Sequence, residues 1–326
     1  MKKRILLKDI AEKLNITTNT VSRALNDKPD ISEKTKEEVR KVAEEIGYIP
    51  DFVASSMRTS YTRTVAVLFD NLSNPYFMIM ANSVANHLFD NDYQMMIFTI
   101  KDNLMTMDIF KKMISRKVDG VITFLLPESR VAELANNMQL PIFVIGRQAA
   151  DLNIDSISTD DFNGGQLMGE YLVNSGYKSI AYLGGPVEIL CNVERALGLN
   201  EYCLNNNVDV NIKYDDGNPN YLENIIDQFV KSNVEAIFCF NDSMAFSTIL
   251  YIETNYPDKI MEVTGYDNIS NHLHLPINIT TIGSNIEQTS SICVERLMSK
   301  ISNFAQPIFT KILDVQLIIK DFNQKK

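Results

Sequence analysis

Polar side chains collect directly behind apolar runs in this chain, at places where they can form a binding surface. Asp70-Asn71-Leu72-Ser73-Asn74-Pro75-Tyr76-Phe77 follows Thr64–Phe69, and Gly146-Arg147 follows Pro141–Ile145. Asn241-Asp242 comes after Glu235–Phe240, Asp267-Asn268 comes after Gly265-Tyr266, and Arg195 lies beyond Gly184-Gly185-Pro186. Carboxylates, amides and a guanidinium can grip the hydroxyls of a polyol, while Tyr76 and Phe77 can stack on its apolar face. The same residue types also make ordinary loops and caps, and Asp242 stands where it can simply cap the next helix. Spacing alone leaves both readings open.

A second group lies near the N-terminus. Thr18, Asn19, Thr20, Ser22 and Arg23 occupy the outward side of a predicted helix whose inner face is Val21, Ala24 and Leu25. Short hydrogen-bonding groups and one guanidinium suit base edges and phosphates, and they equally suit a solvated helix face.

Other chemistry finds little support. Cys191, Cys203, Cys239 and Cys293 are scattered without a CxxC pair, and His87, His272 and His274 have no ligand partners at metal-binding spacing. Gly184-Gly185-Pro186 fits neither phosphate-loop pattern and reads as a turn. No metal, cofactor or catalytic residue is expected.

The elements that must carry these residues fall into two parts. Ile10, Ala11 and Leu14 share a helical face, Asn15-Ile16-Thr17 interrupts, and Thr17 or Thr18 caps a second helix. Two short helices across a tight turn make a helix-turn-helix, a unit that sets its second helix into the major groove. Ser32 as N-cap, the apolar series Val39, Val42, Ala43 and Ile46, and Gly47 as a stop predict a third helix. Pro50 begins a very short segment with Val53, Ala54 and Met57 on one face, which needs a partner or DNA to form.

From Thr64 onward, apolar runs alternate with helical stretches: 64–69, 93–100, 118–126 and 141–145, then 180–183, 235–240 and 263–266. That pattern predicts two doubly wound parallel-sheet subdomains with a cleft between them, ligands binding beyond the strand carboxyl ends. Charge separates in the same place. Residues 1–63 carry +3 and the remainder −13 within a net −10, so a basic head sits on an acidic body. With 45% hydrophobic and 22% charged residues, no signal peptide and no bilayer-length apolar run, a cytoplasmic globular protein without membrane contact is expected.

Lys8-Asp9-Ile10-Ala11, Thr20-Val21-Ser22-Arg23-Ala24-Leu25-Asn26 and Gly47-Tyr48-Ile49-Pro50 resemble the signature of the lactose/purine repressor family, and the likeness continues through the chain. It implies an all-α helix-turn-helix DNA-binding domain over 1–49, a hinge helix and linker over 50–61, and a periplasmic-binding-protein-like effector and dimerisation core over 62–326. It also implies a homodimer on a pseudo-palindromic operator. Residues matching Thr18, Asn19 and Arg23 read the major groove there, those matching Asn26, Tyr48 and Arg58 lie near the backbone, and Met57 occupies the minor-groove wedge position. Ser55 departs from the arginine common in the family, and Met57 from its leucine.

In the core, Asn74-Pro75-Tyr76-Phe77, Val118-Asp119-Gly120, Asn241-Asp242 with Met244-Ala245, and Gly265-Tyr266-Asp267 resemble the family's effector domains. The resemblance implies effector contacts for Tyr76, Phe77, Arg195, Asn241 and Asp267, beside Asn74 and Arg147 from the strand-end reading. Ile157-Ser158-Thr159-Asp160-Asp161 replaces the usual Asp-Asn pair, so Thr159 to Asp161 are set aside as ligand residues. Gly146-Arg147 and Val315-Gln316-Leu317-Ile318-Ile319 are similar to maltose-type repressors, which points to a sugar effector, with a nucleobase as alternative and a phosphoprotein co-repressor as a further partner. Phe322 to Lys326 adds no heptad tail, which favours a dimer. A solute-binding protein shares such a core but needs export, and an enzyme of the cleft lacks a nucleophile-base motif.

Overall fold

The structure is a computed structural model and describes residues 5–49, 61–101, 103–273 and 278–320. Met57, Arg58 and the short helix expected after Pro50 lie outside the described residues. Packing divides the chain into Met1–Thr62 and Arg63–Lys326.

In the first unit, α1 (Leu7–Leu14), α2 (Thr18–Leu25) and α3 (Glu33–Ile46) enclose Ile10, Ala11, Val21, Ala24, Val39 and Ala43. Each end has a local cause. Asn15 turns the chain at φ +52°, and Thr17 Oγ1 accepts from the N–H of Thr20 at 3.1 Å to start α2. Ser32 Oγ accepts from the N–H of Thr35 at 3.2 Å, and Gly47 ends α3 at φ +69°.

The second unit begins with β1 (Thr64–Phe69), α4 (Pro75–Asp90), β2 (Gln94–Thr99), β3 (Leu104–Met105), α5 (Met107–Ser115), β4 (Gly120–Thr123), β5 (Leu126–Pro127), α6 (Ser129–Asn137), β6 (Ile142–Ile145) and β7 (Asp155–Thr159). It continues with α7 (Asp161–Asn174), β8 (Ile180–Pro186), α8 (Leu190–Asn205), β9 (Val210–Asp215), α9 (Tyr221–Lys231), β10 (Ala236–Cys239), α10 (Asp242–Asn255), β11 (Glu262–Tyr266), α11 (Ile269–Leu273) and β12 (Thr281–Gly283). Then come α12 (Ile286–Ser302), β13 (Thr310–Leu313) and β14 (Gln316–Ile318).

These strands form two principal sheets, ordered β13-β7-β6-β4-β1-β2 in lobe 1 and β14-β12-β11-β10-β8-β9 in lobe 2. Their pairings are parallel except β12 with β14. Side-chain alternation explains the double cover. Val65, Val67 and Phe69 point into one layer with α4 and α12, while Ala66 and Leu68 point into the other with α5 and α6. In lobe 2, Ile180 and Tyr182 meet α7 and α8, and Ala181 and Leu183 meet α9 and α10.

Among the described residues the chain passes between the lobes three times: after Thr159, after Gly283, and between Leu313 and Val315. In both sheets the strand order reverses beside the first strand, so a crevice opens at the carboxyl ends of β1 and β4 and of β8 and β10.

One expectation is corrected. Gly184 and Gly185 belong to β8 rather than to a turn, because buried side chains crowd the strand end. A Cβ on Gly184 would stand 2.6 Å from Tyr214 and 3.0 Å from Asn192. No helix among the described residues is long and apolar enough to cross a membrane.

Candidate ligand cleft and nucleic-acid interface

A cavity of about 560 Å³ opens where the strand ends of the two lobes face each other, a volume in the range of small-molecule sites. Asp70, Phe124, Arg147 and Thr159 line it from lobe 1; Pro186, Phe240, Asn241, Tyr266 and Asp267 line it from lobe 2. All seven core residues singled out in the sequence (Asn74, Tyr76, Phe77, Arg147, Arg195, Asn241 and Asp267) border this one cavity.

Arg195 is its most constrained cation. Only 7% exposed, it donates from Nε to Asp161 Oδ1 at 2.8 Å and from Nη1 to the Phe240 carbonyl at 2.7 Å. Its guanidinium lies 3.4 Å from the Tyr266 ring centroid. Burial works against the charge, but Asp161 and the neighbouring acidic groups outweigh it and hold Arg195 well above its ordinary pKa.

The pair meets because α7 and α8 touch backbone to backbone. A Cβ on Gly165 would stand 2.1 Å from the Arg195 carbonyl oxygen, and one on Gly198 would stand 1.9 Å from that of Phe162. Asn192 fixes the start of α8: its Nδ2 donates to the carbonyls of Gly185 and Pro186, both at 2.9 Å, and its Oδ1 accepts from Tyr182 Oη at 2.8 Å. Asp161, set aside in the sequence, is thus the partner of a principal cleft residue. Its signal was the acidic pair at a strand end.

Asp267 takes φ +106°, a conformation that side-chain-bearing residues rarely adopt. Its N–H donates to the Ile282 carbonyl at 2.7 Å, so the surrounding sheet enforces the geometry, as is common at functional sites. Burial, opposed by Arg195, pushes its carboxyl well above the usual range. Beneath it, the fully buried Asp242 accepts from Thr281 Oγ1 and from the N–H of Ile269, both at 2.7 Å. Burial raises Asp242 to about 7 despite those bonds. Asp242 therefore does not cap α10. Asn241 does, its Oδ1 accepting from the N–H of Met244 at 2.9 Å.

Asn74 caps α4 by accepting from the N–H of Tyr76 at 3.1 Å, and the same oxygen accepts from Ser243 Oγ of lobe 2 at 3.3 Å. Its side chain also lies beside Asp267 and favours the charged form of that carboxyl. Ser243 was not among the residues expected in the site, and only the fold brings it there. Phe77 packs against Phe69 and Phe124, which fixes one wall, and Tyr76 meets Phe77 edge-on.

In the head, Thr18, Asn19 and Asn26 are exposed, and Thr20, Arg23 and Tyr48 are half-buried. Ser22 departs from the outward orientation expected of it. It is 7% exposed, because position 22 lies one step of 100° from Val21 and joins the stripe facing the head's core. Arg23 is gripped by Asp30, and Asn26 Nδ2 donates to the Ser22 carbonyl at 2.6 Å. The described residues hold no cluster of three or more potential metal ligands of the His, Cys, Asp and Glu types.

Known proteins resemble the chain along nearly its whole length. Residues 6–51 match the family described as bacterial regulatory proteins, lacI family, and residues 62–326 match periplasmic binding proteins and sugar binding domain of LacI family. An HTH-type transcriptional repressor PurR of Aliivibrio salmonicida is 27% identical over 310 residues, which covers 91% of this chain and 92% of that protein. A PurR of Photobacterium profundum is 26% identical over 97% of this chain and 99% of its own length.

Among solved structures, a lac repressor dimer bound to operator and the anti-inducer ONPF superposes with a TM-score of 0.81 at 21% identity, over 98% of both chains. The complex of the transcriptional regulator CelR with cellobiose gives 0.66 at 20% identity, over 97% of this chain and 99% of that one. A capped three-helix head, two doubly wound lobes around a polar cleft and both family matches lead to one assignment: the chain belongs to the lacI family of bacterial regulatory proteins, as a DNA-binding transcriptional regulator with a ligand-binding core.

Proposed function

We propose that the protein is a cytoplasmic repressor that binds a pseudo-palindromic operator as a homodimer and changes its operator affinity when a sugar occupies the cleft. The observation that carries this reading is the cleft lining: Arg195 paired with Asp161, beside Asp267, Asn241 and Asn74, around about 560 Å³. Such a set offers donors and acceptors in near balance, as a neutral polyhydroxyl ligand requires, with Tyr76 and Phe77 for its apolar face. Arg147 completes the set from lobe 1. Sugars in related complexes, cellobiose in CelR and ribose in an Enterococcus faecium regulator, support the ligand class. A nucleobase is the second reading, favoured by the aromatic edge of Tyr76 and Phe77 on the cavity.

In the head, Thr18, Asn19, Thr20 and Arg23 face base edges, while Asn26 and Tyr48 approach the backbone. Met57 and Arg58 carry the minor-groove and backbone roles that the family resemblance implies for a hinge helix over 50–61. The head then spans 1–49 and the core 62–326. No catalytic step enters this mechanism. Effector binding closes the lobes to a different angle and so shifts the population of DNA-competent dimers.

The experiment is a thermal-shift screen against sugars, sugar phosphates, nucleosides and nucleobases, followed by duplex binding across a salt series. A ligand of the folded state raises the melting temperature, and operator binding weakens steeply with salt. Stabilisation by nucleobases alone replaces the sugar reading. Salt-insensitive or absent duplex binding removes the DNA-binding reading.

A further inference from the structure

The turn between α2 and α3 holds an acidic residue whose position is not explained by folding. Arg23 donates from Nε to Asp30 Oδ2 at 2.7 Å and from Nη2 to Asp30 Oδ1 at 2.5 Å. Both side chains are about half exposed, Arg23 at 43% and Asp30 at 51%. An ion pair so open to water contributes little to stability. The turn is closed without it, by backbone N–H groups of Asn26, Asp27 and Lys28 donating to the carbonyls of Ser22, Ala24 and Arg23 at 3.2, 3.2 and 3.1 Å.

The geometry of the pair bears on recognition. A guanidinium carries five N–H donors in a rigid fork, and Asp30 takes two of them along one edge. The donors left free are both on Nη1 and one on Nη2. That second edge has the spacing that meets O6 and N7 of guanine. The other acid of the turn is held elsewhere. Asp27 pairs with Arg40 and lies 3.8 Å from Lys36, on the α3 side, so neither cation competes for Asp30. The hydrogen bond from Arg23 keeps the Asp30 carboxyl ionised below its usual range.

We propose that Asp30 is a positioning residue for base reading: it clamps one edge of Arg23 so that the opposite edge meets guanine in the major groove. This rests on the DNA-reading role proposed above for α2. A carboxylate placed beside DNA also repels phosphate, so Asp30 lowers affinity for any duplex while sharpening discrimination at one base. Its removal separates the two effects, which a residue serving only the fold would not do.

The test is selection from a random duplex pool by the full-length chain, comparing wild type, Arg23→Ala, Asp30→Ala and Asp30→Asn. Wild type is expected to recover a two-fold motif with a preferred guanine in each half-site, and Arg23→Ala to lose that guanine. Asp30→Ala is expected to weaken the guanine preference by roughly 5-fold or more, with other positions unchanged and binding to random duplex tightened. Asp30→Asn, nearly isosteric, loses the charge and one acceptor and is expected to weaken the same position even if Asp30→Ala folds poorly. Full wild-type guanine preference in Asp30→Asn overturns the proposal, as does an equal loss at every position. Recovery of no motif by wild type overturns the DNA-reading role, and the proposal with it.

Discussion

Asn74 of lobe 1 and Ser243 of lobe 2 are joined across the cleft mouth by a hydrogen bond of 3.3 Å, and the Asn74 side chain also reaches Asp267. The lobe angle is therefore held by groups that also line the cavity. Anything that enters must either keep this bridge or replace it, which ties occupancy to lobe geometry.

Ser243→Ala removes only the Ser243–Asn74 bond. We expect ligand affinity to weaken by about 2- to 10-fold, as for one net hydrogen bond, with the melting temperature of the free protein nearly unchanged. Asn74→Ala also uncaps α4 and should cost about 1 kcal/mol of stability in addition. Titration calorimetry with the ligand found by thermal shift checks both, and unchanged affinity in Ser243→Ala rejects the bridge.

The Arg195–Asp161 pair is buried, at 8% and 3% side-chain exposure. Asp161→Ala leaves a buried guanidinium without its carboxylate and should destabilise the core by about 3–5 kcal/mol. A double variant with apolar residues of similar volume should recover most of that stability while the ligand response stays lost. Urea unfolding of single and double variants distinguishes this coupled cost from two independent ones.

Gly198→Ala places a methyl carbon 1.9 Å from the Phe162 carbonyl oxygen, far inside contact distance. The α7 and α8 backbones must separate, so we expect a loss of about 1–3 kcal/mol or more and weaker ligand binding, since Arg195 moves away from Asp161. Wild-type stability in this variant would show that the helices are not in contact.

Asp242 gives a pH dependence of defined sign. Its folded pKa of about 7 lies above the unfolded carboxylate value, so the folded state retains the proton more strongly. Its contribution is complete below pH about 4 and is lost as pH rises through about 7, on the order of a few kcal/mol. Asp242→Asn should flatten the stability profile over that interval relative to wild type. Denaturant unfolding from pH 4 to pH 8 measures it, and parallel profiles exclude Asp242 as the group responsible.

Much of this fold can be read from the chain because its signals are local. Ser32 and Gly47 mark both ends of α3, and an unbroken apolar run marks β1. β13 and β14 escaped that reading. They are short edge strands with exposed polar positions, and β13 pairs with β7 across more than a hundred residues. Gly184-Gly185-Pro186 carries turn residues, yet the requirement there is space for Tyr214 and Asn192, which only packing reveals. Ser22 shows the limit of a helical wheel on a two-turn helix, where one neighbouring helix decides which flank is covered. The strand-end rule, being a rule of topology, marked the segments that meet at the cleft, and the family resemblance picked Tyr76, Phe77, Arg195, Asn241 and Asp267 within them. Asp161 and Ser243 needed three-dimensional proximity, one through glycine-mediated helix contact and the other across the lobes.

The three chain crossings between the lobes have a mechanical consequence. A single tether would let one lobe swivel and twist about the other, whereas three covalent crossings restrain twisting and sliding more strongly than they restrain bending. Changes in the cleft are thereby channelled into how far the two lobes open or close on each other.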